Sequence, residues 1–242
     1  ERMLILDGML VVKFWFHMAE DDQRERFEEL SRDERSRWAN VPTKETFSAH
    51  YQQFEHLAER VVRATDTGMA PWYLLEATNR RYRDLAVGET LLSAMNTRLA
   101  RVGAPASVHA PSVPVLPDIA GARRTLLDDI DMTQALDEEV FKKRLKTLQS
   151  RLNKLTWAAY KAKRSVVLVF EGPDAAGKGG AIRRVTDAVD SRLHRTIQVA
   201  APTDEERAQH YLWRFWRHVP RAGRMTIYDR SWYGRVLVER VE

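Results

Sequence analysis

The sequence predicts an α/β fold in which helices flank a parallel sheet, and three observations predict it. Short apolar, β-branched runs alternate with charged stretches whose apolar residues recur at helical spacing. One run, "VVLVF", opens into the glycine turn "EGPDAAGKGG" and then a helix-like stretch, the strand–turn–helix order of a phosphate-binding loop. A later run, "MTIYD", ends in an acid, placed where strands of such a sheet deliver side chains to one edge.

The elements follow in order. "MLVVKFWF", Met9–Phe16, reads as a buried strand because it is apolar almost throughout. Charged helical sequence follows from Glu20 to Arg35, with Phe27 and Leu30 on its apolar side. A second helix is expected from Thr43 to Ala64. Phe47, Tyr51, Phe54, Leu57 and Val61 repeat at helical spacing, and Thr43 is the N-cap candidate. "APWYLLEA", Ala70–Ala77, is a short strand, and Tyr82–Leu99 a third helix. This βααβα order suits the latter part of an α/β domain. Residues 102–121, "VGAPASVHAPSVPVLPDIAG", hold four of the nine prolines. Each proline fixes φ and removes a donor, so the stretch reads as an extended linker.

A long helix begins near Leu136. Phe141, Leu145, Leu148, Leu152, Leu155 and Ala159 form an apolar seam, and nine Lys or Arg between Lys142 and Arg164 supply the opposite face. That face reads as a solvated surface on a packing helix, with polyanion binding as the alternative. After "SVVLVF" and the glycine turn come a helix from Gly179 to about Asp190, the strand "TIQVAA", and a helix starting at Thr203. Thr203 and Glu206 in "PTDEER" make a capping box. "YLWRFWR", Tyr211–Arg217, reads as a helix whose aromatics pack into the core, base stacking being the alternative. "MTIYD", Met225–Asp229, closes the series as a strand.

The bulk properties narrow the function classes. The 242 residues are 44% hydrophobic and 30% charged, an ordinary globular composition. There is no cysteine, which excludes disulfides and thiolate metal sites and fits a reducing cytoplasm. No apolar run reaches membrane-spanning length and no signal peptide is visible, so no membrane partner is expected. A formal net charge of +5 fits a polyanionic partner such as a phosphate chain; on its own it gives nucleic-acid binding little support, and none is expected. The chain opens on "ERMLIL" and stops at "VLVERVE", which reads as a fragment cut at both ends.

The chemistry concentrates in the loop. "GPDAAGK" matches G-x-x-x-x-G-K from Gly172 to Lys178, but Gly179 stands where such loops carry the Ser or Thr that holds magnesium. The backbone of Gly172, Ala175, Ala176, Gly177, Lys178, Gly179 and Gly180 is expected to present N–H groups to phosphate, helped by the helix N-terminus. Lys178 adds a full charge. Asp174 lies inside the loop, where an acid would repel phosphate unless a cation intervened. Mg2+ takes hard oxygen ligands, so Asp174 and Asp229 are the candidate metal ligands, replacing the missing hydroxyl. A turn bond at Asp174 and a surface Asp229 are the plain alternatives. Arg230 and Arg235, in "YDRSWYGR", are candidate phosphate ligands and would stabilise a transferred phosphoryl group, unless either pairs with a structural carboxylate. The scattered His194, His210 and His218 carry no assigned chemistry.

"FEGPDAAGKGGAIRR", "APTDEERAQHYLWRFWRHVPRAG" and "YDRSWYGRVLVERV" closely resemble type 2 polyphosphate kinases. The resemblance runs from about Leu136 to Glu242. It implies a P-loop kinase fold, inorganic polyphosphate and an adenine nucleotide as substrates, and Mg2+. It also supports Asp174 and Asp229 as metal-binding or catalytic acids, Lys178 on phosphate, and Arg230 and Arg235 on the polyphosphate, so Asp174, Lys178, Asp229 and Arg230 are the expected catalytic residues. The first segment resembles the other end of the same family, through "LVVKFWFHMAEDDQRERFEE" and "APWYLLEATNRRYRDLAV". The expected organisation is therefore two partial tandem copies. Residues 1–101 would be the C-terminal part of a first domain, 102–121 the linker, and 122–242 the N-terminal part of a second domain, cut in its lid. Docking of the two pieces into one sheet is the alternative arrangement.

Tandem members imply phosphoryl transfer from polyphosphate to AMP. Polyphosphate-dependent ADP phosphorylation, an ATP-dependent nucleoside monophosphate kinase and a non-catalytic polyphosphate-binding module remain as alternatives. Gly179 argues against the ATP-dependent enzyme. A homo-oligomer of unspecified size is also expected.

Overall fold

The computed structural model describes residues 1–32, 51–100 and 125–234. Thr43, Phe47, the 102–121 linker and Arg235 lie outside the described residues. In chain order the elements are α1 (Arg2–Leu6), β1 (Leu10–His17), α2 (Glu20–Arg32), α3 (Tyr51–Thr65), β2 (Trp72–Glu76), α4 (Arg80–Ala100), α5 (Glu138–Lys161), β3 (Val166–Glu171), α6 (Lys178–Thr186), β4 (His194–Gln198), α7 (Asp204–Arg207), α8 (Trp213–Trp216) and β5 (Met225–Asp229).

The strands form one parallel sheet in the order β2-β1-β3-β5-β4. Both long segments thus contribute to a single sheet, joined where Leu10–Trp15 of β1 pairs with Val166–Glu171 of β3. From β1 the chain next pairs to one side and from β3 to the other, so this junction is the switch point that in such sheets opens a crevice at the carboxyl ends.

Side-chain alternation assigns the two faces of the sheet. Val12, Phe14, Phe16, Leu168, Phe170 and Ile227 face one core, covered by Leu85, Leu91 and Met95 of α4, Leu148 and Leu152 of α5, and Ile182 of α6. Val11, Trp15, Val167, Val169 and Tyr228 face the other, covered by Leu4, Ala58, Val62 and Phe215. Every residue of β3 is buried, which is why it reads as an unbroken apolar run. The α5 seam packs as its spacing predicts, and Lys142, Lys143, Arg144 and Lys146 lie exposed on the other side. Asp137 caps α5 by accepting from the N–H groups of Glu139 and Val140.

Some expectations shift. α6 ends at Thr186 rather than near Asp190, because Asp190 accepts from the Arg192 N–H and guanidinium and turns the chain. β4 begins at His194, two residues earlier than expected, since its pairing with β5 runs from His194 to Gln198. The capping box at Thr203 and Glu206 forms, but the helix it starts is one turn long. The "YLWRFWR" helix shrinks to Trp213–Trp216, and only Phe215 of its aromatics is buried. Tyr211 and Trp216 are about half exposed, while Arg217 lies over the Trp213 ring at 4.5 Å. Among the described residues no helix is long and apolar enough to cross a membrane.

His17, at the carboxyl end of β1, is buried, and burial holds its pKa below 6.5 despite the opposing pull of Asp128. The unfolded chain therefore binds this proton more readily, so His17 costs stability as pH falls from about 6.5 through the folded-state pKa. Between pH 7.5 and 5.5 this one residue is expected to lower unfolding free energy by no more than about 1.4 kcal/mol per pH unit. Urea melts of the protein and of His17→Gln at both pH values check this. The variant should lose part of the acid-side decline.

Candidate functional site

The carboxyl ends of β3 and β5 meet a cavity of about 720 Å3. Its walls include Asp174, Ala175, Gly177, Lys178, Gly179, Gly180, Asp229 and Arg230, so the loop and the acid that ends β5 converge as their strand positions predict. β3 pairs with β5 so that Phe170 stands opposite Asp229, one residue before the loop begins to turn.

The loop's shape follows from its glycines. Gly172 has φ 137°, and a Cβ there would lie 2.4 Å from the Phe16 carbonyl oxygen, so only glycine lets the chain leave β3 against the end of β1. Gly177 has φ 83° and caps α6 in a left-handed conformation. A Cβ there would meet the Arg83 guanidinium at 1.7 Å. Ala175 (φ 66°) and Arg230 (φ 64°) hold left-handed backbones without being glycine, a strain typical of functional turns.

Lys178 is buried, and its ammonium donates to the carbonyls of Gly172 and Pro173, each at 2.8 Å. Burial pushes its pKa down, and Asp174, 3.8 Å away, pulls it back up. Asp174 also receives the Arg230 guanidinium, so its carboxylate serves two cations rather than a turn bond. Burial raises the pKa of Asp229. Lys178 and Arg230 lower it again, and Asp174 adds repulsion. Asp229 is thus no plain surface acid.

A second carboxylate shapes the turn beyond Asp229. Glu171, buried at the end of β3, accepts from the Ser231 N–H at 2.7 Å, the Ser231 hydroxyl at 2.6 Å and the Gly234 N–H at 3.1 Å. This ties the start of the helical turn after Arg230 to β3. Burial raises the Glu171 pKa against these hydrogen bonds.

The first segment also contributes to the cavity, in a way its sequence does not announce. Arg26, Arg80, Arg81 and Arg83 line the same cavity as the loop, with Arg184 from α6. Burial and the neighbouring Arg80 and Arg83 depress the Arg26 pKa, the mark of guanidinium groups crowded together. "NRRYRDL" reads in sequence as an ordinary charged helix start, so only the pairing of β1 with β3 exposes its role.

Comparison with known proteins gives a consistent picture. The family model described as polyphosphate kinase 2 matches residues 1–102 and 135–242. A Pseudomonas aeruginosa protein named polyphosphate:AMP phosphotransferase is 47% identical over 243 residues, covering 100% of this chain and 48% of its own. A Pseudomonas syringae pv. tomato protein of the same name is 44% identical over 242 residues, with the same coverage. One from Acinetobacter johnsonii, also so named, is 32% identical over 246 residues, covering 46% of its own length. The chain therefore spans about half the length of these relatives.

Proposed function

Because the chain belongs to the polyphosphate kinase 2 family, we propose that it serves phosphoryl transfer from inorganic polyphosphate to AMP, giving ADP. The single observation that carries this reading is the convergence of Lys178, Asp174, Asp229 and Arg230 on one cavity at the carboxyl edge of the sheet. The full-length relatives named for this reaction support it. In the reaction a phosphate oxygen of AMP bonds to the terminal phosphorus of the chain. The phosphoanhydride bond behind it breaks, and the shortened polyphosphate leaves. Such transfer needs positioning and charge neutralisation more than covalent chemistry from the protein.

Among the described residues no three His, Cys, Asp or Glu side chains cluster to hold a metal alone. Two carboxylates with phosphate oxygens and waters are an ordinary Mg2+ arrangement, and Asp174 and Asp229 fit it. Burial is the main cause of the raised Asp229 pKa, and Asp174 adds a smaller repulsion that a divalent cation between the two carboxylates would relieve. We assign Asp174 and Asp229 to that cation. Mg2+ bound there would neutralise charge on the phosphoryl oxygens. Lys178 and the backbone N–H groups of Gly172 and of Ala175 to Gly180 hold terminal phosphates. Arg230, released from Asp174, steadies the transferred group, and Arg235 remains a candidate for the donor chain. The division into the end of one family copy and the start of another belongs to the same proposal, supported by the family match in two stretches flanking the proline-rich segment.

The absent hydroxyl at Gly179 gives a specific expectation. A Cβ there meets nothing within 4 Å. Gly179→Ser should fold as well as the parent, with a gain of about 0.5 kcal/mol from helix propensity. Because two carboxylates already serve the metal, turnover should stay within about threefold, whereas a conventional P-loop depends on that hydroxyl. Thermal melts and steady-state rates decide this. The function itself is tested by mixing the full-length polypeptide with Mg2+, AMP and either polyphosphate or ATP, and separating nucleotides by chromatography. ADP formed with polyphosphate supports the reading. ADP formed only with ATP makes the protein a nucleotide kinase instead.

A further inference from the structure

Two buried side chains of the first segment reach the loop's backbone. Gln23, on α2 and 4% exposed, donates its amide N–H to the Asp174 carbonyl at 3.3 Å. Arg83, on α4 and 2% exposed, donates to the Ala176 carbonyl at 3.1 Å. Arg83 is itself fixed: its Nε and Nη2 grip one Asp84 oxygen at 3.0 and 2.8 Å, and the other Asp84 oxygen lies 3.7 Å from Arg184 of α6. The same guanidinium fills the space that a Cβ on Gly177 would need.

A trans peptide sends its carbonyl and the next N–H in opposite directions. Holding the Asp174 carbonyl toward α2 therefore turns the Ala175 N–H away from α2. Holding the Ala176 carbonyl toward α4 likewise turns out the Gly177 N–H. Ala175 and Gly177 both line the cavity. We propose that Gln23 and Arg83 are positioning residues that aim the Ala175 and Gly177 amides at a bound phosphate. The phosphate-binding loop is then shaped from outside its own motif, by the segment that pairs β1 to β3. This inference rests on the reading that the cavity binds a phosphate chain.

The test is amide chemical shifts of the full-length polypeptide, titrated with inorganic tripolyphosphate and Mg2+. In the parent both the Ala175 and Gly177 amide protons should move downfield. In Arg83→Ala the Gly177 response should be lost and the Ala175 response kept, with tripolyphosphate affinity about tenfold weaker, one charge-assisted bond's worth. Gln23→Ala should show the reverse pattern. Arg83→Lys, which can still donate to the carbonyl, should recover part of the Gly177 response. A folded Arg83→Ala or Gln23→Ala protein with both responses unchanged overturns the inference, even if its melting temperature has fallen. If Arg83→Ala fails to fold, Gln23→Ala and Arg83→Lys carry the decision. A parent that shows no response to tripolyphosphate overturns the phosphate-chain reading, and the inference with it.

Discussion

Lys178→Met should lower kcat/KM for polyphosphate by about 10^3-fold or more. The ammonium is the cation nearest the loop's own backbone, held by the Gly172 and Pro173 carbonyls in the wall of the cavity. Charge aimed at developing phosphoryl charge in a partly dry site is typically worth 10^2 to 10^5 in rate, so ~10^3 is a moderate expectation. Stability should change far less. Lys178 is buried and its charged form is disfavoured by that burial, so an unbranched apolar side chain of similar length relieves desolvation while leaving two carbonyls without a donor. These effects oppose each other. Melting temperature within a few degrees of the parent, beside the collapsed rate, separates a functional role from a structural one.

Asp229→Asn should cost a similar factor, about 10^3-fold in kcat, for a different reason. The substitution preserves shape and removes the charge that would share a cation with Asp174. It should also leave the protein as stable as the parent or slightly more so. Asp229 is costly to keep ionised, because burial and Asp174 both act against its charge and Lys178 and Arg230 only partly offset them. A residue that costs stability and carries activity is the usual signature of a functional acid. Calorimetric melts and divalent-metal titrations measure the two halves of this expectation. The metal concentration for half-maximal rate should rise in the variant.

The parts of the fold that can be read from sequence are those set by local physics. β5 falls on Met225–Asp229 as expected, because the four-residue run Met225–Tyr228 stands between a glycine turn and the acid Asp229. The α5 seam and the Thr203 capping box are likewise local patterns and both form. The loop is legible because its motif puts glycine where the backbone takes a positive φ, 137° at Gly172 and 83° at Gly177. Non-local facts were not legible. No pattern announces that β1 lies beside β3, and so none announces that Gln23 and Arg83 reach the loop. The aromatics of "YLWRFWR" were expected in the core, yet in a helix of one turn only one face can reach the sheet, and Phe215 takes it. Glu171 was invisible for another reason. As the last residue of an apolar strand it reads as the strand's polar end, not as the acceptor that binds Ser231 and Gly234.

The most direct test of the central claim is single-turnover transfer of radiolabelled phosphoryl groups from polyphosphate to AMP, run with the full-length polypeptide and its Asp229→Asn variant side by side. Labelled ADP forming in the parent and about 10^3-fold more slowly in the variant would place the chemistry in this cavity. Equal rates in the two proteins would contradict that claim and move the reaction to another part of the polypeptide.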